Sequence, residues 1–286
     1  MIDQFVIGFK PQRSWGSLAA IDFFLGGTGA GAFVLSMYLG MLPGMIVGWV
    51  AVALGDIALL ADLGKPGRFL RAGSGVSRSW ISRGVIFTSV FLLFGILRIA
   101  AGVSSSLPWG ASSGIGQAIG VLATMGALGV MIYTGFLLSQ SPSIPFWNTT
   151  MLPLLFALAA FTCGIGVVMV LAPLGQAIDS KSVEITAIGL LGVSIVFLWV
   201  YILSMSSSTV AAKESVRMLT NGKLAGPFLL GVNLIGLVIP LVIAIVAYLA
   251  VVPAILPVAG ILALVGGYLF RDSMLKAGVY PPVIDL

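Results

Sequence analysis

The stretch SLAAIDFFLGGTGAGAFVLSMYLGM, residues 17–41, decides the fold. A bilayer core is crossed by about 20 mostly apolar residues in helical form. This run is long enough, and its one acidic or basic side chain is Asp22. Gly26, Gly27, Gly29 and Gly31 follow that carboxylate. Close helix packing through Gly27 and Gly31, one turn apart, accounts for the glycines. It does not account for the acid. A dinucleotide-binding glycine loop is excluded, because no strand precedes the run and the run lies within lipid.

Working outward, seven further runs of the same kind fall near 43–63, 84–103, 114–139, 147–172, 184–206, 227–251 and 254–270. Residues 1–16 lack a secretory layout, so the first span is expected to be retained. The spans read as helices, since a barrel shows short alternating segments. Pro153, Pro240 and Pro257 fall inside these runs and are expected to loosen them. The expectation is an all-α integral membrane protein of eight transmembrane helices in two four-helix bundles. Both termini then lie on one side, called side A. The chain divides into an N-terminal segment 1–16, a part 17–172 with spans 1–4 and the span 5 that opens the second bundle, and a remainder 173–286.

Composition agrees. The chain is 59% hydrophobic and 8% charged, with no histidine and one cysteine. Soluble domains run near 25% charged, so a soluble enzyme, a nucleic-acid binder and a disordered chain are excluded. Haem b held by two histidines is excluded as well. One cysteine, Cys163, makes neither an internal disulfide nor a cluster site. Twelve of the 14 basic residues fall on side A, among them Lys10, Arg13, Lys65, Arg68, Arg71, Arg78, Arg83, Arg271 and Lys276. By the positive-inside rule side A faces the cytoplasm. Side B carries only Lys181, and Arg98 falls within the third span.

Ionisable groups inside a span are functional candidates. Asp22, Asp56, Asp62 and Arg98 qualify. Asp62 reads as a boundary residue, and Asp56 is set either to pair with Arg98 or to serve a proton path. Tyr133 closes the fourth span on side A, as a belt residue or as a hydrogen-bond donor to a quinone carbonyl, with Gly135 beside it. Asp22, the loop after the second span and Tyr133 come from three elements and can converge on one pocket. Trp15, Trp80, Trp109 and Trp147 read as interfacial anchors, with Trp80 at the pocket mouth. Lys213, Glu214 and Arg217 suggest a short amphipathic surface helix.

Four motifs, in order, resemble the NrfD/PsrC family, membrane subunits of polysulfide reductase and related iron–sulfur molybdoenzymes. They are DFFLGGTGAGAF (22–33), DLGKPGRF (62–69), SRSWISRGVIF (77–87) and YTGFLLSQSPSIPFWN (133–148). The resemblance implies a membrane anchor that exchanges electrons between the quinone pool and a docked ferredoxin-like iron–sulfur subunit. Through it a molybdopterin catalytic subunit would be reached. The substrate would be menaquinone or ubiquinone, with no haem and with clusters only in the partner. Tyr133 matches the family tyrosine that hydrogen-bonds the quinone. Asp22 falls where the best-known member has a quinone-binding histidine, which is a departure. The implied site comprises Asp22, Gly26, Asp62, Lys65, Arg68, Trp80 and Tyr133, with Asp22 and Tyr133 acting directly and no metal. On this reading the chain sits in the cell's inner membrane and does no chemistry alone. A secondary transporter with a midplane carboxylate site is the alternative, and a passive anchor the third.

Overall fold

A computed structural model describes residues 8–62, 79–104, 107–174 and 179–281. Eight long apolar helices cross the bilayer: α1 Ser17–Tyr38, α2 Leu42–Asp62, α3 Trp80–Val103, α4 Gly114–Ser139, α5 Met151–Leu171, α6 Ser180–Ser206, α8 Gly226–Ala250 and α9 Leu256–Lys276. A short helix, α7 Val210–Thr220, links α6 to α8. It buries Ala211, Ala212, Ser215, Val216 and Leu219, while Glu214 and Arg217 pair at 3.1 Å on its outer side. That is the amphipathic helix expected from the sequence. Large apolar side chains such as Leu54, Ile57, Leu93, Met125, Leu203 and Leu249 stand outward, more than half exposed. A water-soluble monomer rarely shows apolar area on that scale; in lipid it is the ordinary outer surface.

Helices α1 to α4 pack as one bundle and α5, α6, α8 and α9 as the other, joined along α1 and α5. Lipid tails offer no hydrophobic drive between helices, so close backbone approach holds such a seam. Small residues provide it. A Cβ at Gly31 would collide with the Ala160 carbonyl, and one at Gly164 with the backbone of Gly31. A Cβ at Gly27 would meet the Ala160 side chain at 3.4 Å. Gly27 and Gly31 of α1 therefore cross Ala160 and Gly164 of α5, the small-residue contact anticipated for the first span. The same device brings Gly29 of α1 onto Gly48 of α2, and Gly166 of α5 onto Gly260 of α9.

Segments close to the two ends of the described chain meet on side A. Lys10–Pro11 (β1) pairs antiparallel with Val279–Tyr280 (β2). Gln12 fastens the joint: its N–H donates to the Gly278 carbonyl at 2.9 Å and its amide to the Leu275 carbonyl at 3.0 Å.

Three expectations are corrected. Pro153 and Pro257 stand in the first turns of α5 and α9, where a missing N–H is free of cost. Only Pro240 acts inside a span: Gly226–Val238 is wound as a π-helix up to it. Proline cannot donate to the carbonyl four residues back, and a wider turn is one way a helix adjusts. Trp147 is no interfacial anchor. It is fully buried before α5 and donates to the Met274 carbonyl at 2.9 Å. The fifth span starts later than expected because residues 144–150 form turns.

Candidate functional site

Asp22 stands about 8 Å into α1 from side A, at 1.5 Å per residue. Its helix is the central one, packed on α2, α4, α5 and α9, so the carboxylate is only 3% exposed. On α2, Gly55 lets the backbone pass alongside. A Cβ there would lie 3.4 Å from Asp22 Oδ1 and from the Asp22 carbonyl. Asp56 follows at once and is partly buried.

Tyr133 enters from α4, about 9 Å from its side A end. Its ring lies flat against the α3 backbone at Gly84, where a Cβ would stand 2.6 Å from two ring carbons. One turn earlier on α3, Trp80 stacks on Phe136 of α4 with centroids 4.3 Å apart and planes 4° off parallel. The Arg83 guanidinium sits 4.4 Å above the Trp80 ring. Gly26 faces Val130 of α4, where an added Cβ would meet the valine side chain at 3.7 Å, an ordinary packing distance. Asp22, Asp56 and Tyr133 thus share one layer of the first bundle, with Trp80 and Arg83 toward side A. Asp22 Oδ2 is buried, and among the described residues it has no hydrogen-bond partner. In water-poor surroundings such an orphan oxygen is costly unless something donates to it. A phenol that donates and two carboxyl groups that trade protons suit an oxygen-bearing substrate that gains or loses hydrogen.

Asp62 ends α2. Its side chain, and the whole of Lys65 and Arg68, lie outside the described residues.

Asp56 and Arg98 do not pair. Trp49 of α2 is level with Gly95 of α3, whose Cβ would lie 2.9 Å from it. Asp56 lies from there toward side A and Arg98 toward side B, which separates them by about 15 Å along the helices. Among the described residues the ion pairs are Glu214–Arg217 and Asp272–Lys276.

Arg271, counted from sequence among the side A loop charges, is 1% exposed within α9. Its Nε donates to the Phe23 carbonyl at 2.9 Å and its Nη1 to the Gly267 carbonyl at 3.0 Å. The guanidinium is 5.7 Å from the Phe24 ring centroid, and Nη1 is 3.7 Å from Cys163 Sγ. It fills the space that Gly27 leaves. The second half therefore buries a cation inside a span, where the sequence places Arg271 on the side A surface. The available signal was the spacing Asp272–Lys276, an i,i+4 pair at 2.8 Å that carries the helical pattern beyond residue 270.

Comparison with known proteins matches the family described as polysulphide reductase, NrfD, across residues 6–281. Protein NrfD of Escherichia coli (strain K12) is 27% identical over 301 residues, covering 92% of this chain and 94% of that protein. The C subunit of polysulfide reductase from Wolinella succinogenes is 24% identical over 284 residues, covering 81% of this chain and 86% of that one. Eight spans in two bundles, with a carboxylate and tyrosine layer in the first, thus accompany a match over nearly the whole chain: the protein belongs to the NrfD family of multi-pass membrane proteins.

Proposed function

We propose that this chain is the quinone-reactive membrane subunit of a respiratory oxidoreductase complex, with its site at the Asp22–Asp56–Tyr133 layer. The observation that carries this reading is the buried Asp22 Oδ2, without a partner among the described residues, at the same depth of the first bundle as Tyr133. A hydroquinone enters from the bilayer among the helices of the first bundle. The Tyr133 O–H donates to one ring oxygen and orients it. Asp22 takes the proton of a hydroquinone hydroxyl, supplying the missing donor. Asp56, in the same layer on α2, passes protons along that helix toward the face that Asp62 borders. Gly26 belongs to the wall of the site, and Trp80, Lys65 and Arg68 to its mouth. Two protons go to side A, and two electrons leave one at a time to an iron–sulfur cluster in a subunit docked there. A molybdopterin subunit beyond would set the final reaction. Quinone reduction runs the same steps backward. The excess of basic residues on side A supports a cytoplasmic placement for that face.

The test uses the assembled complex, with quinol oxidation measured alongside subunit composition. Asp22→Asn and Tyr133→Phe are each expected to leave the complex intact and to lower turnover, by about 100-fold for Asp22→Asn, the scale of lost acid–base catalysis. Undiminished turnover in both variants removes the site assignment. Purification without any iron–sulfur partner favours the transporter reading instead.

A further inference from the structure

The first bundle carries a second polar feature, at its opposite end. Arg98 stands about 8 Å from the side B end of α3. It lines a groove of about 460 Å³ between α3 and the start of α4, with Gln117, Gly116, Gly120, Val121 and Met125. Gly120 is what lets the arginine lie along α4: a Cβ there would be 3.5 Å from Arg98 Nε. The neighbouring Thr124 hydroxyl is already committed to the Gly120 carbonyl at 2.9 Å. Among the described residues Arg98 has neither an ion pair nor a hydrogen bond. The quinone site does not use it, since Arg98 lies at the other face of the membrane.

We infer that this groove binds a phosphate group, carried by the headgroup of a phospholipid of the side B leaflet. A cation inside a span edge needs an anion or water, and no carboxylate of the described residues reaches this one. The planar guanidinium offers five N–H donors in a fork that matches two phosphate oxygens. The end of a span is also the depth at which lipid phosphates lie. Val121 and Met125, 58% and 61% exposed, continue the groove toward the lipid tails with apolar surface where acyl chains would run. The exposed Gln117 amide at the rim suits the ester or glycerol oxygens next to the phosphate.

The experiment counts lipids retained by the protein purified in mild detergent and re-exposed to phosphatidylglycerol or phosphatidylethanolamine, read by native mass spectrometry. Wild type and Arg98→Lys are expected to retain one more phospholipid than Arg98→Gln. Gly120→Leu keeps the charge but fills the groove, and is expected to lose that lipid too. This second variant separates a built site from an arginine that merely reaches toward the interface. A parallel arm offers inorganic phosphate alone to delipidated protein. Arg98-dependent uptake there keeps the phosphate site but assigns it to the free ion. Equal lipid retention by wild type, Arg98→Gln and Gly120→Leu, with no Arg98-dependent phosphate uptake, overturns the inference.

Discussion

The two bundles share an architecture and differ in how they spend polar groups. The first gathers Asp22, Asp56 and Tyr133 in one layer and leaves Asp22 Oδ2 without a partner among the described residues. At mid-depth the second pairs its hydroxyls with each other, Thr162 Oγ1 and Ser194 Oγ lying 2.6 Å apart. Its buried charge, Arg271, is engaged by the Phe23 and Gly267 carbonyls. Tyr201 likewise closes on the Phe146 carbonyl. The second bundle also leaves Asn233 Oδ1 and Ser273 Oγ without a partner among the described residues, but neither of those groups is ionisable. The contrast teaches that an unpartnered carboxylate, rather than a polar or unpartnered atom as such, sets the first bundle apart, because an ionisable group is the costlier one to bury unsatisfied.

The sharpest attempt to break this contrast is to remove matching groups from each bundle. Asp22→Asn is expected to cut quinol turnover about 100-fold. Thr162→Val with Ser194→Ala is expected to change turnover less than twofold, because the pair serves packing only. Equal losses in both bundles would dissolve the distinction. Next in size is the seam. Gly31→Leu drives a side chain into the Ala160 carbonyl, so a loss of about 3 kcal/mol or failure to fold is expected, read as thermal aggregation in detergent. Gly189 on α6 has nothing within 4 Å, so Gly189→Ala should stay within about 1 kcal/mol of wild type in the same assay.

Arg271→Ala removes a long buried side chain together with its carbonyl contacts on α1 and α9, and is expected to cost about 2–4 kcal/mol. Unfolding of the purified protein followed by tryptophan fluorescence measures it. A smaller effect concerns helix ends. Gly40 takes φ +72° after α1, whereas Val251 takes φ +55° after α8. The left-handed conformation suits glycine and strains a β-branched residue. Val251→Gly is thus expected to raise stability by about 1 kcal/mol in that unfolding assay, since the side chain is 73% exposed and loses little contact.

The smallest effect is at Asp179, which caps α6 by accepting from the N–H groups of Lys181 and Ser182. The Ser182 hydroxyl, donating at 2.7 Å, holds its carboxyl below the usual range, and the two backbone donors add to this. A lowered carboxylate contributes stability that is complete above the ordinary carboxylate range and fades as pH falls through its lowered value. Asp179→Asn keeps a capping oxygen without the titration, so helicity measured against pH should lose its acid-side slope at this helix.

How much was legible differs between the elements. Residues 114–139 were read to the residue, because a long apolar run between turn residues has one economical solution in lipid. Ser17–Tyr38 and its Gly27–Gly31 contact were legible for the same reason. Residues 180–183 and 271–276 were missed, since polar side chains continue a helix once neighbours or water satisfy them. The candidacy of Asp22 and Tyr133 was readable from polarity in an apolar run. That Asp56 joins them and Arg98 does not depends on helix register, which hydropathy does not encode.

By itself the sequence determined the solvent, the span count and the common side of the termini, because backbone polar groups in hydrocarbon must be satisfied within each segment and apolar length then fixes each crossing. Only the tertiary structure decided which small residues became the seam, which polar atoms found partners, and that Arg271 lies inside rather than in a loop. Those outcomes are contacts between segments far apart in sequence, set by how helices rotate and slide against one another, and no local pattern carries that information.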